Sequence, residues 1–453
     1  MWRTATQILA LTALGLSLAQ ANPVSLSTAW QAARQQDPSL LAAIAEKDAG
    51  QTERAIGRAG LLPQISGSLG RTRMRGDLDT PDARGDMSRQ DLSYTSKINE
   101  ISVQQTVFDW GKISAYRQGH AKADHALAVF DTQATEISER LINRYFQVLL
   151  TQQNVVLAQN NLAAADKHIQ VGQRHFDLGE GTITAVHEAQ SRRDIAHARW
   201  LVAKDNLVVA RRELQEMIGV DPQQVYPLQT EIQPVGIEPA DLSAWLDMAM
   251  QRNAQIRAAQ QDLQVNALEI QRAFSAHLPS LGLVAGLRKT EGESISSRNE
   301  KNSTRSFGYQ VNVPIFSGGE THARVQQAQH YRDRSQHLVD AARQEIAVEV
   351  TRQYQGVISG AEHILALQRA VESSRLAVTA SERGYQGGTH GIRDILDAQE
   401  RLYQAQLDLT QKRLEYVMAR LKLAAVADGL DGQVIEQTTT LFFSQQAIGL
   451  VDL

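Results

Sequence analysis

The hydrophobic pattern along the chain changes between two periods, and the clearest short stretches have a period of two. The segment SFGYQVNVPIF, residues 306–316, places apolar side chains on one face and small or polar side chains on the other. A similar alternation occurs in residues 65–70, 101–107 and 280–287. We therefore predict four strands of about ten residues, each with one apolar face, as in the strands of a membrane barrel.

Longer stretches with the helical period separate the strand segments. Each strand pair is followed by about 60 residues without proline, at 112–171 and 321–383, enough for a helix of about 90 Å. A turn then leads into a return helix, which in the second case has apolar residues at the 3-4 spacing of a coiled coil. These residues are Ile395, Ala398, Leu402, Ala405 and Leu409. Each region is thus predicted to form a long helical hairpin.

A shorter helix of about 30 residues is predicted before each strand pair. It ends at Leu62-Pro63 in the first case and at Leu278-Pro279 in the second, because proline disfavours a helical conformation in the residue before it. Within each strand pair, the polar segments 74–97 and 288–306 are predicted to be external loops. An ordinary soluble β-hairpin with one buried face remains the alternative for these strands.

The whole order of elements occurs twice, which indicates an internal repeat. The turn segment YQGGTHGIRDILDAQ, residues 385–399, corresponds to FDLGEGTITAVHEAQ, residues 176–190, at an offset of 209. The stretch between the copies contains four of the ten prolines and is predicted to be a connector. The predicted division is a signal peptide at 1–21, a first repeat at 22–218, a connector at 219–240, a second repeat at 241–427 and a C-terminal tail at 428–453.

Composition narrows the cellular setting of the chain. The N-terminal segment MWRTATQILALTALGLSLAQA has the features of a secretory signal, and no later run reaches the 18 apolar residues that a membrane-spanning helix needs. The chain has no cysteine, so no disulfide and no lipid-bearing cysteine is expected. A net charge of −4 argues against general nucleic-acid binding.

Four strands are too few for a closed membrane barrel, since the smallest barrels have about eight. Open strand edges are not tolerated in lipid, because their backbone N–H and C=O groups would lack hydrogen-bond partners. If these strands are in a membrane, several copies of the chain must share one barrel. The number of copies does not follow from this argument.

The repeat, the two Leu-Pro junctions and the motif YQGGT…DILDA at residues 385–398 together resemble the TolC family of outer-membrane export ducts. The resemblance covers the whole chain after the signal. It implies a mainly α-helical fold with a β-barrel part, in which a homotrimer forms a 12-strand barrel, with four strands per chain, above a periplasmic α-helical tunnel. The absence of a lipidation cysteine resembles the TolC branch, and residues 55–63 resemble members that serve type I protein secretion.

The resemblance also implies roles for residues at the hairpin tips. Asp394 and Asp397 match the aspartates that ring the narrowest point of the duct, and Tyr385 matches a gate tyrosine. The gate arginine of the family falls on His390, and its acidic partner falls on Ala185, beside Thr184, so the ionic latch of the family is not preserved as such. Tip residues expected to contact an adaptor protein are Gly179, Gly181, Thr182, Gly388 and Thr389.

Each of these assignments has a simpler alternative. Asp394 and Asp397, three residues apart on one helix face, could be a solvated acidic surface, whereas threefold symmetry would gather six carboxylates into a cation-selective constriction. We expect neither aspartate to have a partner charge within the chain. His390 could be an ordinary surface histidine or a pH-sensitive gate element. In the first tip Glu188 matches Asp397, but Ala185 leaves that copy with one acid.

The predicted function is that of a passive outer-membrane exit duct in a tripartite export system, serving type I protein secretion. The alternative is a duct for multidrug or small-molecule efflux. The resemblance implies a periplasmic adaptor and an inner-membrane transporter, of the ABC type for protein secretion, as partners. An adhesive coiled-coil protein is disfavoured by the internal repeat. An enzyme is disfavoured because His187-Glu188 is followed by Ser191 rather than the second histidine of a zinc-protease motif, and no nucleotide-binding motif is present. No cofactor or metal is expected.

Overall fold

A computed structural model describes residues 23–230, 232, 234–292 and 300–450 of the chain. The predicted signal peptide lies outside the described residues. The described part is mainly helical and falls into two compact units. We name them the sheet unit, residues 42–134 and 252–347, and the hairpin unit, which holds residues up to 41, 135–251 and those from 348 onward.

The helices and strands follow each other in the order that the repeat predicts. The first copy contains α1 Leu26–Gln36, α2 Pro38–Gln51, α3 Glu53–Ala59, β1 Gln64–Pro81, β2 Met87–Phe108, α4 Trp110–Asp177 and α5 Ile183–Ile218. Short β3 Gln224–Val225 follows. The second copy contains α6 Leu242–Arg252, α7 Ala254–Phe274, β4 Ser280–Gly292, β5 Glu300–Asn312, α8 Glu320–Gln386 and α9 Ile392–Asp428. The described chain closes with α10 Gly432–Phe442 and β6 Ile448–Gly449.

The long helices confirm the prediction from the helical period, since α4 has 68 residues and α8 has 67. The prediction of one continuous helix before each strand pair was wrong, because each of these helices is broken. In the first copy the helix breaks at Asp37, because Pro38 disfavours a helical conformation in the residue before it. It breaks again at Thr52. In the second copy Asn253 starts a new helix by accepting hydrogen bonds from the backbone N–H groups of residues 255 and 256.

The sheet unit contains an antiparallel sheet in the order β1-β2-β4-β5, which leaves β1 and β5 as open edges. The register pairs Ile65 with Val103, Val103 with Ala285, and Ala285 with Phe307. Because directly paired residues share a face, all odd-numbered strand residues point to one side, apart from a register shift between Thr106 and Phe108. That odd face carries the apolar side chains that the period of two predicted.

The strands extend further than the sequence indicated. We expected loops at 74–97 and 288–306, but β1 and β2 stay paired to Pro81 and Met87, which leaves only a tight turn between them. Strands β4 and β5 likewise stay paired to Gly292 and Glu300, and residues 293–299 lie outside the described part of the chain. Charged residues on one face of the β1–β2 ribbon alternate with small, polar and a few apolar residues on the other, so the sequence pattern there indicates a polar loop. At the other end, β5 stops at Asn312, so Val313 and Ile315 lie after the strand and not on its apolar face.

In the part of the sheet unit that belongs to the first repeat, glycine allows close helix packing. The Cα of Gly50 faces Ala126, and Gly57 and Gly119 lie where α3 meets α4, so that added Cβ atoms would lie within 3.0 Å of the neighbouring helix. The second copy uses polar contacts instead. Buried Ser335 donates a 2.6 Å hydrogen bond to Asp262 and accepts one of 2.9 Å from Asn266.

The core of the hairpin unit contains aromatic side chains near the chain ends. Tyr145, Phe146 and Phe443 pack edge to face or at an angle, and the hydroxyl of Tyr145 donates a 3.0 Å hydrogen bond to the carbonyl of Val24. Burial raises the pKa of Tyr145. The connector after α5 adds β3, which pairs with β6. These contacts hold the connector and the C-terminal segment against the helices.

Within the described residues, none of the helices has a stretch apolar and long enough to cross a membrane.

Candidate functional site: the two hairpin tips

The two hairpin turns in the hairpin unit have the same backbone geometry, 209 residues apart. Gly179 and Gly388 have φ angles of 76° and 72°, a left-handed conformation that glycine adopts without strain. The N–H of Gly179 donates to the carbonyl of Phe176, and the N–H of Gly388 donates to that of Tyr385, each at 3.0 Å. The duplicated turn is therefore a structural repeat as well as a sequence repeat.

Histidine and glycine exchange places between the two tips. The first tip has His175 at the helix end and Gly181 after the turn, whereas the second has Gly384 and His390 at the corresponding positions. A Cβ atom added to Gly384 would lie 2.0 Å from the ring of His390, and one added to Gly181 would lie 3.2 Å from the backbone carbonyl carbon of His175. A side chain at position 384 would therefore clash with His390 in the second tip, and one at position 181 would be in tight contact with the backbone of the first.

The return helices begin with different caps. At the start of α5, the side chain of Thr182 accepts a hydrogen bond of 3.3 Å from the N–H of Ala185. At the start of α9, the carboxylate of Asp394 accepts a hydrogen bond of 2.9 Å from the N–H of Gly391 and lies 3.4 Å from Nδ1 of His390. Asp394 thus caps a helix in addition to its predicted place at the constriction.

A small apolar cluster joins the two hairpins at their tips. Ala189 of α5 packs against Ile392 and Leu396 of α9, and Tyr385 lies against this cluster. The ring of Tyr385 also meets His175 edge to face, with 5.1 Å between ring centroids. Burial raises the pKa of the Tyr385 hydroxyl. His175 was missed by sequence reasoning, although its exchange with glycine between the repeats would have drawn attention to it.

Two ion pairs connect α5 with α9 above the cluster. Arg192 donates a 2.9 Å hydrogen bond to Asp397, and Arg199 contacts both carboxylate oxygens of Glu400 at 2.8 and 2.9 Å. The expectation that Asp397 has no partner charge in the chain was therefore wrong. Arg192 belongs to the other hairpin, 205 positions away, so the sequence alone did not reveal that contact. Asp397 also lies 3.9 Å from Arg393, an i,i+4 pair on the same helix that the sequence could have indicated.

The remaining predicted site residues lie at or near the tips. Thr184 is exposed, Ala185 packs beside the apolar cluster, and Glu188 is half-buried. The side chains of Asp394 and Asp397 are 54% and 40% exposed, so both can reach solvent from one chain. In the described part of a single chain, no group of three histidine or acidic residues could hold a metal ion. A cation site at the tips would need carboxylates from several chains.

A buried histidine distinguishes the first hairpin from the second. His168 on α4 is only 8% exposed, and its counterpart in the second hairpin is Ala377. Burial lowers the pKa of His168, while the negative charge of Glu382 on α8 partly opposes this shift.

Comparison with known proteins decides the family of the chain. The profile of the family described as outer membrane efflux protein matches residues 29–220 and 245–429. The chain belongs to the outer membrane efflux protein family. Among its relatives, alkaline protease secretion protein AprF of Pseudomonas aeruginosa is 32% identical over 423 residues, which cover 93% of this chain and 88% of AprF. Proteases secretion protein PrtF of Dickeya chrysanthemi is 29% identical over 439 residues, 96% of this chain and 95% of PrtF.

Solved structures of outer membrane efflux proteins have the same fold. The CmeC outer membrane channel of Campylobacter jejuni gives a TM-score of 0.76 at 16% identity, covering 92% of this chain and 89% of CmeC. The outer membrane protein VceC of Vibrio cholerae gives 0.74 at 17% identity, covering 89% of this chain and 96% of VceC. The predicted fold class, a barrel part with a helical tunnel, is confirmed.

Membership of this family also confirms the predicted location. The chain is a protein of the Gram-negative outer membrane with a periplasmic tunnel. It is one protomer of a trimeric duct that works with an adaptor and an inner-membrane transporter. The open edges of β1 and β5 agree with a barrel shared between protomers, because each edge presents unpaired backbone groups.

Proposed function

We propose that this outer membrane efflux protein is the exit duct of a type I protein secretion system. The observation that carries the proposal is the similarity, over more than nine tenths of the chain, to AprF and PrtF, whose names assign them to the secretion of proteases. The fold supplies a passage, and no nucleotide-binding motif was found in the sequence. We therefore infer that the duct is passive and that it has no enzymatic activity of its own.

The partners in this proposal are those that the family resemblance implies. An inner-membrane transporter of the ABC type supplies the energy, and a periplasmic adaptor contacts the turns. The turn residues predicted to make these contacts are exposed or half-buried in the structure, as such contacts require. They are Gly179, Gly181, Thr182, Gly388 and Thr389.

In the same proposal the tips form the gate and the narrowest point. Asp394 and Asp397 of three chains line the constriction, and their exposure supports this role. Tyr385, His390 and Thr184 belong to the gate. The contacts of Tyr385 with His175, and of Asp397 with Arg192, replace the ionic latch that Ala185 cannot form. The repeat boundaries 22–218 and 241–427, with a connector between them and a tail from 428, complete the proposal.

A gene deletion separates protein secretion from small-molecule efflux. Removal of the gene should abolish the appearance of one class of protein in the medium, while drug and detergent tolerance stays at the wild-type level. Complementation with the intact gene should restore secretion. Normal protein secretion together with increased drug sensitivity would contradict the proposal and favour the efflux alternative. Nucleotide hydrolysis by the purified duct would contradict its passive role.

A further inference from the structure

The odd face of the sheet has a sharp boundary between apolar and basic side chains. Towards the helices this face is apolar and strongly exposed in the single chain, with Leu69 at 87% and Phe307 at 79%. Its apolar side chains cross all four strands in register. An exposed apolar band on one face of such a sheet is the lipid-facing surface of a membrane barrel.

Just beyond this band, each strand carries a cation on the same face. Arg71 follows Leu69 on β1, Lys289 follows Leu287 on β4, and on β5 Arg305 precedes Phe307. On β2, Lys97 comes one odd position later because Asn99 intervenes. We name this group, with three further cations on the same face, the basic belt. Its members are Arg71, Arg73, Arg75, Lys97, Lys289, Lys301 and Arg305.

The opposite face lacks such a belt at the same positions. Its residues there are mostly small, hydroxyl-bearing or apolar on β1 and β2, and Arg288, the one basic residue among the described positions of this face in that region, is paired in register with Glu100 of β2. The cations are therefore segregated to the lipid side. A merely solvated end of the sheet would give no reason for that segregation.

The belt also lies at one end of the band only. At the ends of the strands that join the helices, the odd face presents Ile65, Gln105, Leu281 and Val311, with no cation among these described residues. The tunnel helices are periplasmic, so the basic end of the band faces the outer leaflet. A purely structural anchoring role for long basic side chains would be expected at both ends.

The charges in the belt are only partly neutralised within the chain. Glu291 lies between Lys97 and Lys301, at 3.7 and 2.9 Å. Among the described residues, Arg71, Arg73, Lys289 and Arg305 form no ion pair. Neighbouring strands lie about 4.8 Å apart and alternate residues about 6.7 Å apart, so these cations form a close array that can bind one phosphate group with two side chains.

We propose that the basic belt binds phosphate-bearing headgroups of lipids in the outer leaflet. Arginine suits this role because its planar guanidinium donates two parallel hydrogen bonds to a phosphate, and the neighbouring apolar band receives the acyl chains of the same lipid. The belt thus fits one amphiphilic ligand, with phosphate at the level of the cations and hydrocarbon beneath it. The inference extends beyond the export role and rests on the family's membrane location.

Native mass spectrometry of the detergent-extracted, delipidated trimer tests this proposal. The probes are lipid A with two phosphates and the same lipid without phosphate. The variant Arg71→Gln, Arg73→Gln, Lys289→Gln, Arg305→Gln leaves the Lys97–Glu291–Lys301 network intact. It should bind the phosphorylated lipid at least about tenfold more weakly than wild type, because each basic group near an anionic headgroup contributes favourably. Binding of the phosphate-free lipid should stay unchanged.

A matched pair of single variants guards against a folding defect in the fourfold variant. Lys289→Gln should weaken binding of the phosphorylated lipid, whereas Arg288→Gln, one residue away on the opposite face, should not. Equal binding by wild type and the Lys289→Gln variant would overturn the proposal. Displacement of the lipid by an equal concentration of inorganic phosphate would also overturn it, since the belt would then recognise free phosphate rather than a headgroup.

Discussion

The first and second hairpin tips share one backbone and differ in their chemistry. Gly179 and Gly388 hold both turns in the same left-handed conformation, with equivalent hydrogen bonds around them. On this common frame the first tip is capped by a threonine hydroxyl and the second by the carboxylate of Asp394. A turn that depends on backbone hydrogen bonds and one glycine leaves its other side chains free to diverge after duplication.

The side-chain differences between the two tips are correlated, because a change at one position is compensated by a change at the position that it contacts. The histidine-glycine exchange keeps one side chain at this pair of positions, where a second would be crowded. The acids are also distributed unequally, since the second tip has Asp394 and Asp397 where the first has Ala185 and Glu188. Duplication therefore supplies two hairpins for the tunnel wall, and in our proposal only the second carries the constriction.

The single substitution Gly384→His in the second tip should have the largest effect on stability. Gly384→His alone would place a second ring beside His390 and destabilise the turn, because close-packed sites tolerate extra volume poorly, at a cost of about 1–3 kcal/mol. Adding His390→Gly recreates the arrangement of the first tip and should restore most of that loss. Hydrogen exchange of the amides in residues 387–390 measures both effects.

The double variant provides the internal control of this experiment. Contacting residues usually show a coupling of about 0.5–3 kcal/mol in a double-mutant cycle. Strictly additive effects of the two substitutions would show that the two positions do not share a space. The two tips would then be equivalent in the backbone geometry of their turns only.

Replacing the turn glycines should affect both tips equally. Gly179→Ala and Gly388→Ala each place a Cβ atom on a left-handed residue, which costs about 1–2 kcal/mol, although no neighbouring atom would clash. Amide exchange at each turn should accelerate roughly 5- to 30-fold. The neighbouring Gly387→Ala is the matched control and should have little effect, because Gly387 is not among the glycines with positive φ. A large difference between the two tips would contradict their common backbone.

Acidification should loosen the first hairpin more than the second, and this is the smallest expected effect. Burial lowers the pKa of His168, so unfolded chain binds the proton more readily than folded chain. Stability from this residue is present above its unfolded pKa of about 6.5 and is lost as the pH falls below it. Protease cleavage of α4 should therefore increase at low pH in wild type.

His168→Gln is the control for this pH effect. The variant should show a flatter pH dependence of cleavage in α4, while cleavage in the second hairpin, which has Ala377 at this position, should be the same in both proteins. An unchanged pH dependence in the variant would assign the effect to other groups.

The sequence predicted the features that depend on local periodicity. The two long helices, the turn glycines and the apolar faces of the four strands follow from spacing and repetition, because backbone geometry imposes those periods. The paired ribbon beyond residue 72 was missed because charged residues fill one face, and the other face has only isolated apolar residues, such as Met74 and Leu78, among small and polar ones. The breaks at Asp37 and Asn253 were missed because the helical pattern continues across them.

The predicted tip residues were found at the tips, but their contacts within the chain were not foreseen. Arg192 and Asp397 meet because two hairpins pack side by side, and His175 meets Tyr385 for the same reason. Such pairs are set by packing between segments that are distant in sequence. The proposed constriction would require three chains, so its geometry would be a property of the assembly rather than of one sequence segment.

The divergence of the tips also determines how the aspartates should be tested. Asp394→Asn with Asp397→Asn removes both carboxylates from the second tip but leaves Arg192 without its partner. Adding Arg192→Gln removes the cation of the shorter contact, which would otherwise change selectivity by itself, while Arg393, 3.9 Å from Asp397, is kept in both variants. Exposed ion pairs contribute about 0–1 kcal/mol, so folding and trimerisation should survive in both variants. Glu188→Gln in the first tip is the matched control.

The most direct test of the account is the current through single wild-type and variant trimers in planar bilayers, with and without a divalent cation. Wild type should be cation-selective and blocked by the divalent cation from the tip side, because carboxylates of three chains meet at the constriction. The variant with Asp394→Asn, Asp397→Asn and Arg192→Gln should lose the block and most of the selectivity, and Glu188→Gln should lose little of either. Wild-type block and selectivity in the triple variant would show that Asp394 and Asp397 are only a solvated surface.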